Sequence, residues 1–584
     1  MAATVAFFFF AAILAAAAAG GGDAALVEHT FIVSQVRLNR LCNDTLVTVV
    51  NGQLPGPTIE VREGDSVVVH VINKSPHGLT IHWHGVKLQL NCWADGAGMI
   101  TQCPIRPNNN FTYRFDIVEQ EGTLWWHAHV ASLRATIHGA LIIRPRPGPS
   151  SYPFPKPEKE IPIVIGEWWE MDLVELDMRL RNGNLFDVPR AATINGQTGD
   201  LYNCSAHVDF AGAIKESNIL NVEHGKTYLL RIVNAALNSE YYLKIAGHKF
   251  TVVGADANYV KPYTTDVITI APGETVDALL VTDAHPGGRY YMIAMAYQPP
   301  KPAKQFPLFL SRGIVQYYDN NASPRKEEEA LPNTPMAPEM PDQHDAVPSF
   351  YFYGNLTSLQ PHPLPTIVDE RLFYALDAGY FCREGGSSCQ NVSNIVATIN
   401  NVSFQLPETT PLLQAHYYNN MKSGIGTLPD GSPRMFNYSM SLAPTSKATS
   451  VRKLRYNTTV EIVFQSPVIA DSYSNPMHLH GHDFFVLAQG FGKFDEKKDV
   501  KTYNLVDPPV RNTVHVPIYG WAAIRFVTKN PGVWYLHCHY GHHSSTGMAV
   551  ALVVENGPTL DTTLPPPPAD FPSCDNYISM LANE

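Results

Sequence analysis

Short segments in which apolar and polar residues alternate recur along the whole chain. In the segment 59–75, IEVREGDSVVVHVINKS, valine and isoleucine recur at alternate positions and Gly64 interrupts the run. Side chains two positions apart on a strand lie on the same face, so this pattern predicts strands with one buried face. Enrichment in Val, Ile, Thr and Tyr, with Gly and Pro between segments, predicts an all-β chain of antiparallel sandwiches.

The pattern occurs three times in the same order, as an asparagine-containing turn followed by an alternating strand. The turns are TVVNGQLPG from position 48, ATINGQTGD from 192 and ATINNVSF from 397. The ends of the three units also match, as EGTLWWHAHV, PGGRYYMIAMAY and NPGVWYLHCHYG. Self-similarity of this kind indicates a repeated structural unit.

Two positions distinguish the three units, and they lie five and seven residues after the glycine at the end of each unit. They hold His127 and His129 in the first unit and His537 and His539 in the third, but Ile293 and Met295 in the second. The second unit therefore keeps the strand and lacks the histidines. The predicted organisation is a signal peptide 1–25, a first sandwich 26–150, a second sandwich 158–320 without metal ligands, a linker and connecting segment 321–395, a third sandwich 396–567 and a C-terminal tail 568–584.

Composition and the amino-terminal segment indicate an exported protein. The formal net charge of the 584 residues is −11 and no basic run occurs, which argues against nucleic acid or an anionic membrane as partner. The apolar run from Val5 to Ala19 is shorter than the ~20 residues that span a bilayer, so it is read as a secretory signal. Ten N-x-S/T sequons favour N-linked glycans, at Asn43, Asn73, Asn110, Asn203, Asn321, Asn355, Asn391, Asn401, Asn437 and Asn457.

Cysteines in an exported chain are expected to be mostly paired. The chain has eight, and Cys382 and Cys389 flank a short Gly- and Ser-containing loop that can close a local bridge. The others lie far apart, so their spacing leaves the pairing open.

Four His-x-His pairs carry the strongest chemical signal. Each pair presents two imidazoles to one side of a strand. One pair alone is usually an ordinary polar face, but four pairs divided between the first and third units favour a cluster of copper or zinc ions. Zinc sites rarely need eight histidines. The pairs are His82 and His84, His127 and His129, His478 and His480, and His537 and His539.

Cys538 favours copper over zinc. It lies between His537 and His539, so its sulfur points to the opposite side of the strand from both imidazoles. With His543 and an axial Met548 it supplies much of a blue-copper electron-transfer site. The alternative is a buried structural cysteine or half of a disulfide. On the copper reading, the strand connects two metal sites covalently.

The chain resembles the plant laccases of the multicopper oxidase family across essentially its whole mature length. The matching stretches are HWHGVKLQLNCWADGAGMITQCPI, GTLWWHAHVASLRATIHGALII, NPMHLHGHDFFVLAQGFG and NPGVWYLHCHYGHHSSTGM. The resemblance implies three cupredoxin-like (plastocyanin-like) Greek-key β-sandwich domains with a trinuclear copper cluster between the first and third. The family reaction couples one-electron oxidation of phenols, such as lignin precursors, to four-electron reduction of O2 to water.

The resemblance also assigns residues. His82 and His478 would hold the type 2 copper, and Cys538, His543 and Met548 the type 1 copper. The type 3 pair would be held by His84, His127, His129, His480, His537 and His539. Interdomain disulfides would join Cys42 to Cys204 and Cys103 to Cys574, leaving Cys92 unpaired if the local bridge forms. Four coppers, a monomer and secretion to the apoplast (cell wall) are implied.

Two positions depart from the family pattern. Asn475 stands where a type 1 histidine is expected, so three coppers would remain if that site is empty, and Gly541 stands where an acidic residue near the cluster is usual. An amide oxygen is a hard ligand for a soft copper–thiolate site. His542 and His482 are candidate replacements, with exposed surface histidines as the alternative. Asp95 is the remaining candidate for relaying protons, or else a turn residue.

Three functions from different classes therefore remain. The first is a working secreted laccase that polymerises or degrades lignin and detoxifies lignin-derived phenols. The second is a copper-loaded oxidase impaired in electron uptake, as Asn475 and Gly541 would suggest. The third is a cell-wall glycoprotein without catalysis, which the intact cluster histidines oppose. The copper ligands alone do not distinguish a laccase from an ascorbate or metal-ion oxidase.

Overall fold

The computed structural model describes residues 24–182, 187–200, 218–285, 287–300, 308–318, 334–381, 394–421, 425–433, 443–466 and 474–574. Most of the predicted signal peptide, the cysteines Cys204, Cys382 and Cys389, and the sequons Asn203, Asn321, Asn391 and Asn437 lie outside these residues. Among the described residues, no helix combines the length and apolarity needed to cross a membrane.

The first sandwich consists of two four-stranded sheets, β2-β1-β4-β6 and β3-β8-β7-β5. In β4 every second residue is buried, as the alternating sequence predicts, whereas all of β7 is buried because both of its faces are covered. The strands are β1 Leu26–Arg40, β2 Asn43–Val50, β3 Ile59–Arg62, β4 Ser66–Asn73, β5 Ile81–His84, β6 Asn110–Asp116, β7 Gly122–Ala128 and β8 His138–Arg144.

The second sandwich has a six-stranded sheet, β10-β9-β12-β17-β14-β15, and a five-stranded sheet, β11-β19-β18-β13-β16. It encloses its own hydrophobic core. The strands are β9 Lys159–Trp168, β10 Ala191–Ile194, β11 Asn218–Glu223, β12 Thr227–Asn234, β13 Tyr241–Ile245, β14 Phe250–Ala255, β15 Asn258–Thr265, β16 Ile268–Ile270, β17 Thr275–Val281, β18 Arg289–Ala296 and β19 Leu310–Tyr318.

The third sandwich is one continuous sheet, β29-β28-β31-β26-β20-β21-β22-β25-β33-β32-β27-β30, with β23 on β25 and β24 on β20. Its strands are β20 Glu370–Phe381, β21 Asn394–Ile399, β22 Val402–Phe404, β23 Ile425–Thr427, β24 Ala443–Pro444, β25 Ser446–Leu454, β26 Thr459–Gln465, β27 Asn475–Leu479, β28 Phe484–Phe491, β29 Val510–Arg511, β30 Thr513–Val516, β31 Gly520–Val527, β32 Gly532–Cys538 and β33 Ala549–Val554. The all-β prediction of three cupredoxin-like sandwiches is confirmed.

Helices are short and lie between strands. Within the described residues the α-helices are α1 Leu173–Arg181, α2 Val347–Gly354, α3 Leu412–Tyr417 and α4 Gly541–Thr546. Single 3-10 turns occupy Cys92–Ala94, Leu133–Ala135, Pro149–Ser151, Asp499–Thr502 and Leu560–Thr562.

Strand β20 lies within the segment 321–395 that the sequence pattern assigned to linker and connection. Residues 370–375 pair with β26 and residues 376–381 pair with β21, so the strand passes from one layer of the third sandwich to the other. The third unit therefore begins before residue 396. The strand was missed because the segment preceding it is rich in proline and it carries no candidate ligand.

The repeated turn asparagines share one structure. Asn51, Asn195 and Asn400 all have left-handed backbones, with φ near +50°. Each side-chain oxygen accepts a backbone N–H, from Ile32, Val164 and Ala375 respectively. Each side-chain amide also donates to the carbonyl of the residue two positions before that N–H, which is Thr30, Pro162 or Phe373. The asparagine thus holds the first strand of each sandwich, which explains why the turn recurs.

The first and third sandwiches share one hydrophobic core. A disulfide joins Cys103 to Cys574, and Phe571 packs edge-on against Trp93. Cys42 is disulfide-bonded, while Cys92 is free and buried. The disulfide predicted between Cys103 and Cys574 and the free thiol of Cys92 are therefore confirmed.

Candidate metal centre

Four buried strands bring the His-x-His pairs together. In the first sandwich β5 pairs with β7 so that His82 lies opposite His127. In the third, β27 pairs with β32 so that His478 lies opposite His537. The second histidine of three of the pairs comes directly after the end of its strand, as the strand bounds of β7, β27 and β32 show.

The eight imidazoles meet at the interface between the first and third sandwiches. His82 stacks on His480 with ring centroids 3.9 Å apart, and His84 stacks on His478 at 3.6 Å. Two triads combine residues from both sandwiches, and within each the ligand atoms all lie within 4.8 Å of one another. The triads are His84, His127 and His539, and His129, His480 and His537; a third group joins His82 and His478 to His84.

Most of these rings have one nitrogen bound to the protein and the other turned inward. The Nδ1 atoms of His82, His127, His478 and His537 each donate to a backbone carbonyl oxygen at 2.7 to 2.9 Å. Nε2 of His480 lies 3.2 Å from Nε2 of His537, so two acceptors face each other. Second-shell hydrogen bonds of this kind fix the tautomer of a metal ligand.

Several of the inward nitrogens are buried without a hydrogen-bond partner. They are Nε2 of His82 and of His478 and both ring nitrogens of His539. A buried polar atom without a partner costs about 1–3 kcal/mol, so four of them in one place need an explanation. A cation that accepts several lone pairs at once provides it.

Burial also keeps the cluster neutral. Loss of solvent, followed by repulsion from neighbouring rings or, at His539, from Arg134, lowers the pKa of seven histidines well below the ordinary value: His84, His127, His129, His478, His480, His537 and His539. Metal binding requires the neutral imidazole. The site is therefore prepared for a cation without prior loss of protons.

Asp95 provides the carboxylate of the cluster. Its side chain is fully buried, and Oδ1 accepts from Nδ1 of His480 at 3.0 Å and lies 3.3 Å from Nδ1 of His82. It contacts histidines from both sandwiches, so it is more than a turn residue.

Two further residues at the cluster were missed by sequence reasoning. Oγ1 of Thr513 lies 3.1 Å from His84 and 3.1 Å from His478, and so bridges the two sandwiches. Gly273 in the second sandwich has φ +96°, and a Cβ there would lie 2.9 Å from the His539 ring. Neither has a local sequence signature, because each acts through a contact with a distant part of the chain.

The sulfur of Cys538 lies on the other side of β32. It is 3.3 Å from Nδ1 of His543 and 3.7 Å from Oδ1 of Asn475. Met548 is buried, and backbone hydrogen bonds tie it to both Cys538 and His543. Burial raises the pKa of Cys538 to about 12, so the thiol holds its proton until a cation displaces it.

The two candidate replacement ligands lie elsewhere, and neither is an exposed surface histidine: His482 is buried and His542 is half-buried. His482 packs edge-on against Phe526 and Trp534, and its Nδ1 donates to the carbonyl of His480. His542 donates from Nδ1 to the side chain of Asn238 at 2.8 Å. Among the described residues, the side-chain contacts of the Cys538 sulfur within hydrogen-bonding range are with Asn475 and His543.

A cavity of about 680 Å³ leads from the surface to the cluster. Its walls include His129 and His537 at the inner end and the exposed Arg181 and Lys447 at the outer end. Asp177 of α1 lies in this wall, where it accepts a hydrogen bond from Ser545 of α4 at 2.5 Å. A carboxylate is thus present in the wall of this cavity.

Comparisons with known proteins agree with this geometry. Profiles described as multicopper oxidase match residues 32–148, 159–319 and 417–558, one in each sandwich. The third match includes the strands of both histidine pairs of the third sandwich together with Cys538.

Curated relatives cover nearly the whole chain. It is 54% identical to Laccase-15 of Oryza sativa subsp. japonica, covering 94% of each chain, and 54% identical to Laccase-19 of the same plant, covering 95% of each. The crystal structure of the laccase from Botrytis aclada superposes with a TM-score of 0.71 over 94% of this chain and 91% of that one, at 24% identity, which shows a shared fold. The chain belongs to the multicopper oxidase family, and it is a laccase-type oxidoreductase.

Proposed function

We propose that this protein oxidises small phenols one electron at a time at a copper held by Cys538 and His543, and reduces O2 to water at a cluster held by eight histidines. The observation that carries the proposal is the pair of interdomain histidine triads, with the unpartnered buried nitrogens of His82, His478 and His539 beside or within them. Neither sandwich alone could assemble them. Their position at a buried interface suits chemistry that has to exclude bulk water.

The donor set fits the cofactor that membership of the family implies, which is copper. Neutral imidazole and thiolate are ligands that copper binds well. On this proposal His82 and His478 would hold the type 2 copper and the two triads would hold the type 3 pair, while Met548 would be a further donor to the type 1 site. Bound copper would supply one-electron redox chemistry and the binding of O2.

Strand β32 supplies the connection between the two sites. Cys538 points to one side and its neighbours His537 and His539 to the other, so two short covalent routes leave the sulfur. Nδ1 of His537 also donates to the Cys538 carbonyl oxygen at 2.9 Å, which adds a hydrogen-bonded route. We assign Asp95 the role of relaying protons for the reduction of O2.

The proposed setting is the cell wall, with secretion as a monomeric glycoprotein that takes part in lignin polymerisation or in the breakdown of lignin-derived phenols. The exposed asparagines Asn43, Asn110, Asn355, Asn401 and Asn457 are open to glycan attachment. Asn73 is fully buried, and its amide donates to the carbonyls of His77 and Ile105. This sequon would therefore stay unmodified in the folded protein.

One preparation tests the proposal. The secreted protein is purified with copper, the metal per chain is counted, and O2 uptake is followed with hydroquinone, ascorbate or Fe²⁺ as reductant. About four coppers are expected, or three if the thiolate site stays empty, together with O2 uptake on hydroquinone. A protein that carries zinc or no metal would contradict the proposal. O2 uptake with ascorbate or Fe²⁺ alone would show that the substrate is that reductant and not a phenol.

An oxidase with impaired electron uptake is the second candidate, favoured by the asparagine at position 475. Copper would then fill the histidine cluster while O2 uptake stays slow. The Asn475→His variant separates the two cases, because it would raise turnover only if the asparagine limits electron uptake. Unchanged turnover would reject this second candidate.

A further inference from the structure

We infer that Asn475 is itself a copper ligand through Oδ1, and that Ser466 is the positioning residue that keeps this oxygen turned toward the Cys538 sulfur. The inference rests on the proposed function, since it names the third ligand of the thiolate site. It replaces the expectation that the site is incomplete because a histidine is missing.

The distances from the Cys538 sulfur to the other two donor atoms fit a shared ion. Ligand atoms bonded to one metal at about 2.0 to 2.3 Å lie about 3.3 to 4.0 Å apart when the angles at the metal are between tetrahedral and trigonal. The Cys538 sulfur is 3.3 Å from His543 Nδ1 and 3.7 Å from Asn475 Oδ1. Both values fall in this range.

Ser466 determines which end of the amide faces the sulfur. Its Oγ accepts a hydrogen bond from Nδ2 of Asn475 at 2.8 Å, which leaves Oδ1 for the site. An amide nitrogen has no lone pair to offer a metal, so the orientation decides whether Asn475 can bind. The serine is therefore needed to present the ligand oxygen.

Ser466 is itself held firmly in place. It is fully buried at the end of β26, where its N–H donates to the carbonyl of Gly520 at 2.8 Å. Its carbonyl accepts from the side chain of Gln465 at 3.2 Å. Asn475 is equally fixed, since it begins β27, lies opposite Val516 of β30 and is 1% exposed. The donor is preorganised by backbone contacts on both sides.

All four residues of this arrangement belong to the third sandwich, whereas the histidine cluster needs the first sandwich as well. The two sites can therefore fail separately. Replacement of imidazole by amide oxygen keeps the site neutral, so the burial of the thiolate copper gains no additional charge.

The test compares five copper-loaded proteins by copper count, visible absorption of the thiolate–copper bond and paramagnetic resonance: wild type, Asn475→Ala, Ser466→Ala, the double variant, and the control Ser450→Ala. Ser450 is a buried serine of the same sandwich whose hydroxyl has no partner among the described residues. We expect Asn475→Ala to weaken or shift the thiolate band. Ser466→Ala should move it in the same direction and reduce copper affinity at that site by about 10–100-fold.

The double-mutant comparison distinguishes positioning from general damage. If Ser466 acts only through Asn475, its removal has no further effect in the Asn475→Ala background, and Ser450→Ala has no effect at all. The inference is overturned if Asn475→Ala keeps the wild-type band and copper affinity, if Ser466→Ala acts equally in both backgrounds, or if the wild type shows no thiolate band while its cluster is loaded. If the histidine cluster holds no copper but the thiolate band still responds to Asn475→Ala and Ser466→Ala, the proposed function is overturned and the inference about Asn475 stands.

Discussion

The carboxylate of Asp95, in the first sandwich, lies 3.0 Å from Nδ1 of His480, in the third, and both side chains are fully buried. The contact joins the two halves of the cluster directly. A hydrogen bond to a charged group is worth about 1.5–3 kcal/mol, roughly twice a neutral one.

Asp95→Asn keeps the shape of the side chain and removes its charge. We expect copper affinity at the cluster, or the rate of O2 reduction, to fall about 10–100-fold, because the amide orients His480 and His82 less strongly and holds no transferable proton. Copper titration and O2 uptake measure the two effects separately. The exposed Asp44→Asn in the same sandwich is the control, and equal losses in both variants would argue against a specific role.

Gly273→Ala tests the contact that the second sandwich makes with the histidine cluster. The left-handed backbone, with φ +96°, costs a non-glycine residue about 1–3 kcal/mol, and the added Cβ would press on the His539 ring. We expect a lower Tm and loss of cluster copper. Gly225→Ala has a similar φ of +76° with nothing within 4 Å, so it reproduces the strain alone. Retention of copper by both variants would show that His539 is not constrained by Gly273.

His138 should make the folded protein sensitive to acid. Burial lowers the pKa of His138 to about 4. Below pH 6.5 this histidine is protonated in the unfolded chain but stays neutral in the folded protein. The free energy of unfolding therefore falls as pH falls, by about 2 kcal/mol at pH 5. His138→Gln should remove this part of the difference between urea unfolding at pH 7.5 and pH 5, while His224→Gln on the exposed surface controls for loss of a histidine. An unchanged difference in the first variant would refute the assignment.

The turn asparagines should each stabilise their own sandwich. Asn400→Gly preserves the left-handed backbone but removes the hydrogen bonds to Ala375 and Phe373, at a cost of about 1–3 kcal/mol. Asn51→Gly and Asn195→Gly should cost similar amounts because the contacts repeat. Asn419, also left-handed and exposed, provides a matched control. Chemical unfolding measures the free energy of unfolding of the three variants and of the control Asn419→Gly. If the control loses as much stability as the others, the entropy of the glycine backbone accounts for the effect.

Much of the cluster could be predicted from the sequence because its signals are local. Histidines two apart on a strand share a side, and Cys538 between two of them points the other way, so the two sites of β32 follow from spacing alone. Dividing the histidines between a type 2 copper and a type 3 pair needed the resemblance to known copper signatures, and grouping six of them into triads needed the fold. The cluster assignments remain predictions about metal, but the side chains meet where these assignments require.

Contacts between distant segments could not be predicted. Thr513, Gly273 and Ser466 act on histidine or asparagine side chains from other strands, and nothing in their own neighbourhood marks them. Asn73 illustrates the same limit, because its sequon is a local pattern while its burial depends on the distant Ile105. The Asn475 departure was visible in the sequence, but its serine partner nine residues earlier required the fold.

The disulfide between Cys103 and Cys574 spans 471 residues of chain. Since synthesis proceeds from the amino terminus, Cys103 emerges long before its partner and meets several other thiols first. Correct pairing therefore has to wait until Cys574 has been made, or be corrected by thiol–disulfide exchange. A chain that stops before Cys574 would therefore leave Cys103 of the first sandwich as an unpaired thiol.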